Sequence, residues 1–187
     1  MNQNKKSYRR LKSGFTLMEV LVVVLIIGIL AAAALPQYQK AVKKSRLAAM
    51  LPLIKSVAVS EDRFYMANGR YTADFSELDI TLPPEYNMPG SYPGMLVNSE
   101  QTLLDIHSRV NFTIYNPVWK VGAEIYPSYS TFSPSKAGKT YCIVPYPNYN
   151  FDADSKAVCE SLGGKYSTYW LGAISPLPPV YALFLLP

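Results

Sequence analysis

From Phe15 to Leu35 the chain runs through 21 residues in which only Thr16, Glu19 and Gly28 interrupt an apolar or alanine pattern. As a helix rising about 1.5 Å per residue, that run spans roughly 30 Å, the thickness of a bilayer's hydrocarbon core. After Leu35 the pattern changes character without stopping. Leu47, Met50, Leu51, Ile54, Val57, Ala58, Phe64 and Tyr65 recur at helical spacing, while Lys55, Ser56, Ser60, Asp62 and Arg63 fall on the other side. Together the two stretches predict one helix of about 50 residues, reaching roughly 75–80 Å, apolar all round at first and amphipathic later. Pro36 and Pro52 each remove an internal hydrogen bond, which predicts a bend near each. The alternative is that Pro36 ends a membrane helix and a second helix follows. Asn68-Gly69 supplies the stop, since both tolerate a left-handed backbone.

Past Gly69 the composition turns to Pro, Tyr and Gly. Asp74-Phe-Ser-Glu77 has the spacing of a capping box and predicts a short helix or turn leading into Leu78. Residues 81–100, with Pro83, Pro84, Pro89, Gly90, Pro93 and Gly94, read as a long irregular connection. Strands are predicted at Leu103–His107, at Val110, Phe112 and Ile114 alternating with polar positions, at Trp119–Tyr126 and at Thr140–Val144. Asp154 to Leu162 reads as a short helix capped by Asp and closed by Gly163-Gly164. Tyr181–Leu186 is a final strand or an apolar tail. Antiparallel pairing through short turns makes the whole an α+β chain, without internal repeats.

Charge sharpens this picture. The net charge of +5 suggests a nucleic-acid partner until its distribution is read. Lys5, Lys6, Arg9, Arg10 and Lys12 precede Gly14 with no acid among them, and removing those 5 from the 18 basic residues leaves 13, equal to the 13 acidic ones. A basic flank before an apolar helix stays cytoplasmic, which places everything after Leu35 outside. An ordinary secretory signal is the simpler reading of residues 1–34, with Ala31 to Ala34 as its small-residue end. Against it stand the acid inside the apolar block and the helix that continues beyond it.

The only cysteines, Cys142 and Cys159, fall in the outside part, where a disulfide persists. A loop of that size closed by a disulfide is worth about 3 kcal/mol in the chain-entropy model. The competing reading, a Cys/His hydrolase using His107, lacks any sign of a positioned base or oxyanion hole. Asp152-Ala-Asp154 resembles the start of a calcium loop, but its twelfth position is Gly163 and a helix cap explains the pair more simply. No metal site or cofactor is expected. Asn111-Phe-Thr113 fits the glycosylation triplet and stays unassigned. Most of the 15 tyrosines are expected to be ordinary strand and core residues.

Glu19 is the residue that needs a reason. A carboxylate one turn into a helix offsets the helix dipole, yet a charge inside a bilayer-length apolar run is expensive and marks a functional candidate. The stretch Lys12-Ser13-Gly14-Phe15-Thr16-Leu17-Met18-Glu19-Val20-Leu21 strongly resembles the class III signal of type IV pilins and type II secretion pseudopilins. The similarity extends through Pro36 to Ala67-Asn68-Gly69-Arg70-Tyr71, dense over about 15–71 and only architectural beyond. The resemblance implies the type IV pilin fold, a long N-terminal helix packed on an antiparallel sheet. It also implies cleavage by a prepilin peptidase between Gly14 and Phe15, N-methylation of Phe15, and a role for Glu19 in subunit assembly. Many members staple the C-terminal region with a disulfide, as Cys142–Cys159 would.

Cleavage there creates an α-amino group on Phe15. A neighbouring chain shifted by about one turn would bring its amine to Glu19, and because a buried charge left unpaired is costly, the pairing would set register. The domain plan expected is a cleaved leader over 1–14, a transmembrane and polymerisation half-helix over 15–36, an amphipathic half-helix over 37–68 and a sheet domain over 69–187. The partners implied are like pilin subunits, the peptidase, the assembly platform with its motor, and the inner membrane before assembly. From there the body would reach a surface pilus or a periplasmic pseudopilus. The cysteine pair, the longer body and the lack of a clear calcium loop favour a pilus subunit over a pseudopilin. A minor pilin that binds DNA or a receptor is a further alternative, for which Lys136, Lys139, Lys156 and Lys165 would have to converge. No positioned nucleophile, base or ligand set suggests an enzyme.

Overall fold

A computed structural model describes residues 14–88, 94–106, 111–131, 133–171 and 180–187, with the side chains of 170 and 171 left aside. The chain divides into two compact units, Met1–Tyr38 and Gln39–Pro187. One helix, α1, covers Leu17–Asn68 and has residues in both. Pro36 and Pro52 lie inside it, so Pro36 does not end it and the two-helix alternative falls. The helix stops where expected: Gly69 takes a φ of +70° and its N–H bonds Tyr65 O at 2.7 Å, a left-handed cap that glycine adopts without strain.

In the first unit every described residue is exposed, including Leu17, Leu21 and Ile27. In the second, α1 buries Leu47, Met50, Ile54, Val57, Ser60 and Glu61. The spacing of three and four places them on one stripe. Ser60, expected on the polar side, is 1 % exposed and is a correction to that reading.

The stripe packs on an antiparallel seven-stranded sheet. In chain order its strands are β1 (Met95–Val97), β2 (Leu103–Asp105), β3 (Phe112–Asn116), β4 (Val121–Ile125), β5 (Thr140–Pro145), β6 (Lys165–Leu171) and β7 (Val180–Leu185). Their spatial order is β1-β2-β3-β4-β5-β7-β6. A short helix α2, Ala153–Ser161, lies between β5 and β6 in sequence. Registers Phe112↔Ile125, Ala123↔Cys142 and Cys142↔Phe184 align one apolar face against Leu47, Ile54 and Val57 of α1.

The other face is also a core. Tyr115, Tyr126, Tyr141, Ile143, Tyr181 and Leu183 form a second buried cluster there. Alternation in β3 therefore does not separate buried from solvated positions: all five of its residues are buried. Gly122 belongs to this arrangement. It pairs with Tyr115, and a Cβ on it would sit 2.4 Å from Ile114 O and 2.8 Å from the Tyr115 ring, so the ring takes the space a side chain would need.

Several boundaries and two strands differ from the sequence reading. β1 lies inside the supposed irregular connection, held by Val97 N–H to Asn87 O at 2.8 Å. β6 had no counterpart. Trp119 sits in a turn before β4, where its N–H bonds the Asn116 side chain at 2.9 Å and Lys120 takes a φ of 55°. Of the two readings of the Tyr181 segment the strand holds and the tail falls: it forms β7, between β5 and β6. Asp74 caps a single 3-10 turn, Phe75–Glu77, by accepting from Ser76 N–H. Glu77 does not close a reciprocal box; it turns to the Thr72 hydroxyl and Arg70.

Candidate functional site

The first turn of α1 is built by two side chains. Thr16 N–H and Thr16 Oγ1–H donate to Glu19 Oε2 at 2.8 and 2.9 Å, and Glu19 N–H donates to Thr16 Oγ1 at 3.2 Å. This is a reciprocal capping box, in which two helix-start donors that have no partner in the helix find one in a side chain. The pattern Thr16-Leu-Met-Glu19 carried that signal, and the reading of Glu19 through dipole and register alone missed it. All three bonds use Oε2 or the backbone, leaving Oε1 outside the box. Gly14, Phe15 and Glu19 are exposed, and no Cβ added at Gly14 would meet an atom within 4 Å. The Gly14–Phe15 peptide is therefore accessible and lies next to a preformed helix start. The helix behind it is long and apolar enough to cross a membrane by length and composition, with a mean hydropathy of 2.8 over its best window.

The family-model match to known proteins falls on this segment. Residues 9–35 match the family model described as the prokaryotic N-terminal methylation motif. A type IV major pilin protein, PilE1, of Neisseria gonorrhoeae is 30 % identical over 82 residues, 44 % of this chain and 49 % of that one. The type II secretion system core protein G of Pseudomonas aeruginosa is 40 % identical over 63 residues, 34 % of this chain and 44 % of that one. The type IV major fimbrial protein FimA of Dichelobacter nodosus is 49 % identical over 43 residues, 23 % of this chain and 28 % of that one. The chain is thus similar to type IV pilins and fimbrial proteins and to a type II secretion core protein, with the methylation motif at its start. It spans about half the length, or less, of these curated relatives. No solved structure matches it.

In this chain the long helix and the antiparallel sheet make the α+β architecture that the resemblance implied. The body carries a disulfide. Cys142 of β5 and Cys159 of α2 are joined, their Cα atoms 5.8 Å apart, and both are fully buried. Neither is a free thiol, which removes the Cys/His nucleophile; His107 lies outside the described residues. The cap of α2 is Asp152, which accepts from Ser155 N–H at 3.0 Å and pairs with Lys120 at 3.4 Å. Among the described residues no group of three His, Cys, Asp or Glu side chains is placed to hold a metal. Asn111 is half-buried and Thr113 buried.

The four lysines do not converge. Lys136 lies over the Tyr126 ring and donates to its hydroxyl at 3.2 Å, and Lys139 donates to Ser135 O at 2.7 Å. Lys156 and Lys165 instead line a bay beside α2.

Two buried glutamates escaped the sequence reading. Glu61, on the packed face of α1, accepts from Thr72 N–H at 3.2 Å, and its Oε1 has no partner among the described residues. Burial pushes its carboxyl up to about 7, the Thr72 bond pulling the other way and Asp62 and Glu77 adding to the rise. Glu124 is fully buried on the outer face of β4, and burial likewise raises its carboxyl, against the pull of Tyr126, Tyr181 and Lys136. Only their place on a buried face distinguishes them, and a single charged letter in a strand or helix pattern does not reveal it.

Proposed function

We propose that this chain is a structural subunit of a type IV pilus-like filament, built through its N-terminal helix and not through catalysis. The observation that carries the reading is α1 itself. One uninterrupted helix has an apolar half whose described residues are all exposed and a half packed into a folded body. An apolar surface of that extent needs lipid or like helices around it. The match to the methylation motif and the family relatives support the same reading.

In this account the basic leader holds residues 1–14 at the cytoplasmic side of the inner membrane while the body lies outside. A prepilin peptidase cleaves between Gly14 and Phe15 and N-methylates Phe15. An assembly platform and motor then draw the helix from lipid into a bundle of identical or homologous subunits. Glu19 keeps its capping box and offers Oε1 to the Phe15 amine of a neighbour shifted by one turn. Pro36 and Pro52, each lacking one helix hydrogen bond, are where the helix bends to follow the bundle. The disulfide and the size of the body favour a pilus over a pseudopilus. The 40 % identical protein G segment keeps a type II secretion pseudopilin as the second reading.

The test separates capping from register. Glu19→Ala and Thr16→Ala both break the box, but only Glu19→Ala removes the carboxylate. The expected outcome is correct processing in both, filaments with Thr16→Ala, and few or none with Glu19→Ala. Mass analysis of the mature N-terminus and electron microscopy of sheared surface material read this out. Normal filaments with Glu19→Ala, or equal loss in both variants, would remove the register role. A mature chain that does not begin at methylated Phe15 would remove the processing scheme.

A further inference from the structure

We propose that the end of the body packed on residues 40–46 of α1 is a bilayer-contact surface, which sits on anionic phospholipid headgroups of the extracytoplasmic leaflet before assembly. This deepens the membrane stage of the proposed function and rests on it. The surface lies wholly within the second unit. Three turns make it: 98–101 between β1 and β2, 116–120 between β3 and β4, and 146–150 after β5. The registers Leu103↔Tyr115, Tyr115↔Gly122 and Gly122↔Ile143 bring all three to the same end of the sheet. Side chains tie that end to the first residues of α1 in the body. Arg46 lies 4.5 Å over the Trp119 ring and pairs with Glu100, and Lys43 pairs with Asp154 at 3.5 Å.

Covalent connection decides what this end meets. The apolar run ends at Leu35, and roughly 17 Å of helix separates it from Arg46. Long side chains on a helix point back toward its N-terminus, and the interfacial layer extends roughly 5–8 Å beyond the hydrocarbon. With the apolar run in lipid, Lys40 stands at headgroup depth, and the turns held by Lys43 and Arg46 follow directly behind it. The chain itself delivers this surface to the bilayer.

The chemistry suits that neighbour. Val118 is 61 % exposed and Tyr149 65 %, and Trp119 beside Val118 is half-buried. Aromatic side chains with a polar edge are enriched at membrane interfaces. Cations at this end outnumber acids. Glu100, Asp152 and Asp154 are each paired with one cation, the Lys120–Asp152 pair at 3.4 Å. Lys40 and Lys44 are left over with no ion pair among the described residues; Lys44 donates to Ser161 O at 3.1 Å. Beyond Gly14 the chain has 13 basic and 13 acidic residues, so a surplus here is local. Anionic headgroups would complete it.

The backbone sets this end apart as well. Gln101, Lys120, Asn148 and Tyr149 take φ values of 63°, 55°, 50° and 60°, and among the described residues no other non-glycine residue has a positive φ. All four fall in these three turns. Such conformations are uncommon without glycine and concentrate at functional sites.

The test uses the full chain in phosphatidylcholine vesicles, with and without phosphatidylglycerol, whose acyl chains carry bromine near the headgroup. Trp170→Phe leaves Trp119 as the only indole. Protection of the apolar helix from added protease reports insertion separately. In inserted chains the bromine is expected to quench Trp119 emission, more strongly with phosphatidylglycerol, the difference fading in high salt. Val118→Asp and Tyr149→Asn should each restore most of the emission. Both positions are exposed, so an unchanged melt of the body is the control for folding. Lys40→Gln combined with Lys44→Gln is an independent readout: it should remove the phosphatidylglycerol dependence and leave the quenching seen in phosphatidylcholine alone. Inserted chains with unquenched Trp119 would overturn this inference and leave the membrane stage standing. Failure to insert would overturn the membrane stage and this inference with it. Quenching that ignores the Val118 and Tyr149 variants would also overturn it, as would quenching that appears only when chains are crowded, the mark of a contact between copies.

Discussion

The two parts of α1 differ in composition, with 16 Leu, Ile, Val or Ala residues among positions 17–38 and 12 among positions 39–68, and they solve the problem of burial in opposite ways. Between 39 and 68 the apolar residues share the surface with Lys55, Ser56 and Arg63, and one packed face against the sheet satisfies them. Between 17 and 38 there is scarcely a polar side to leave in water, so no single partner surface suffices. A helix apolar all round has to be surrounded. The difference teaches that polar residues, as well as apolar ones, decide whether a helix folds onto its own chain. They define how much of the circumference needs a partner. One half is completed within the molecule; the other is completed only by lipid or by other molecules.

That contrast breaks or sharpens under a few changes. The largest effect is expected in the body, where Cys142→Ser should cost about 2–5 kcal/mol by denaturant unfolding of the full chain in detergent. Filament defects would then follow from lost folding and be rescued at low temperature. Ile54→Ala should cost a comparable 2–5 kcal/mol, as buried aliphatic truncations do. Glu61 provides a pH test of the same packed face. Its carboxyl is raised in the folded chain, so the fold binds a proton that the unfolded chain releases. Stability from this group is fully present below about pH 4.5 and is lost as pH rises through about 7. Against Glu61→Gln, the native chain should lose on the order of 3 kcal/mol across that window; parallel pH profiles would contradict the assignment. The smallest effect belongs to the other half. Ile27→Ala should leave the melt of the body within about 0.5 kcal/mol of the native chain. If it destabilises the body as Ile54→Ala does, the two halves are not independent and the comparison fails.

Much of this was readable from the letters, unevenly. The long helix and its Gly69 stop were legible because both rest on local rules: a sustained period and a residue at ease with positive φ. The capping-box rule was less obedient. It matched at Asp74-Phe-Ser-Glu77, where Glu77 is drawn to Thr72 and Arg70 instead, and it held at Thr16-Leu-Met-Glu19, where attention to the charge concealed it. A spacing rule states what two side chains reach, while competing partners decide what they take. β6 was illegible for a different reason. Lys165-Tyr-Ser-Thr-Tyr is exposed at four of its five positions, so it carries little burial pattern. The second core on the outer face was hidden because Tyr115, Tyr126 and Tyr181 look alike whether their rings are wet or dry, and Glu124 looks like a solvated residue.

The place of β7 has a consequence for how the body comes into being. It follows β6 in sequence but lies between β6 and β5, pairing with both. As the chain is made from its N-terminus, β6 appears with no strand to join, while α2 is already tied to β5 by the cystine and to Lys120 by the Ser155 hydroxyl and Asp152. The sheet can be closed only when residues 180–185 arrive and slide between their neighbours. A nascent chain stopped before that point would present two unsatisfied strand edges at once, and a ribosome or translocon still holding those residues would keep the body open. Pairing of β7 is therefore what joins β6 to the rest of the sheet.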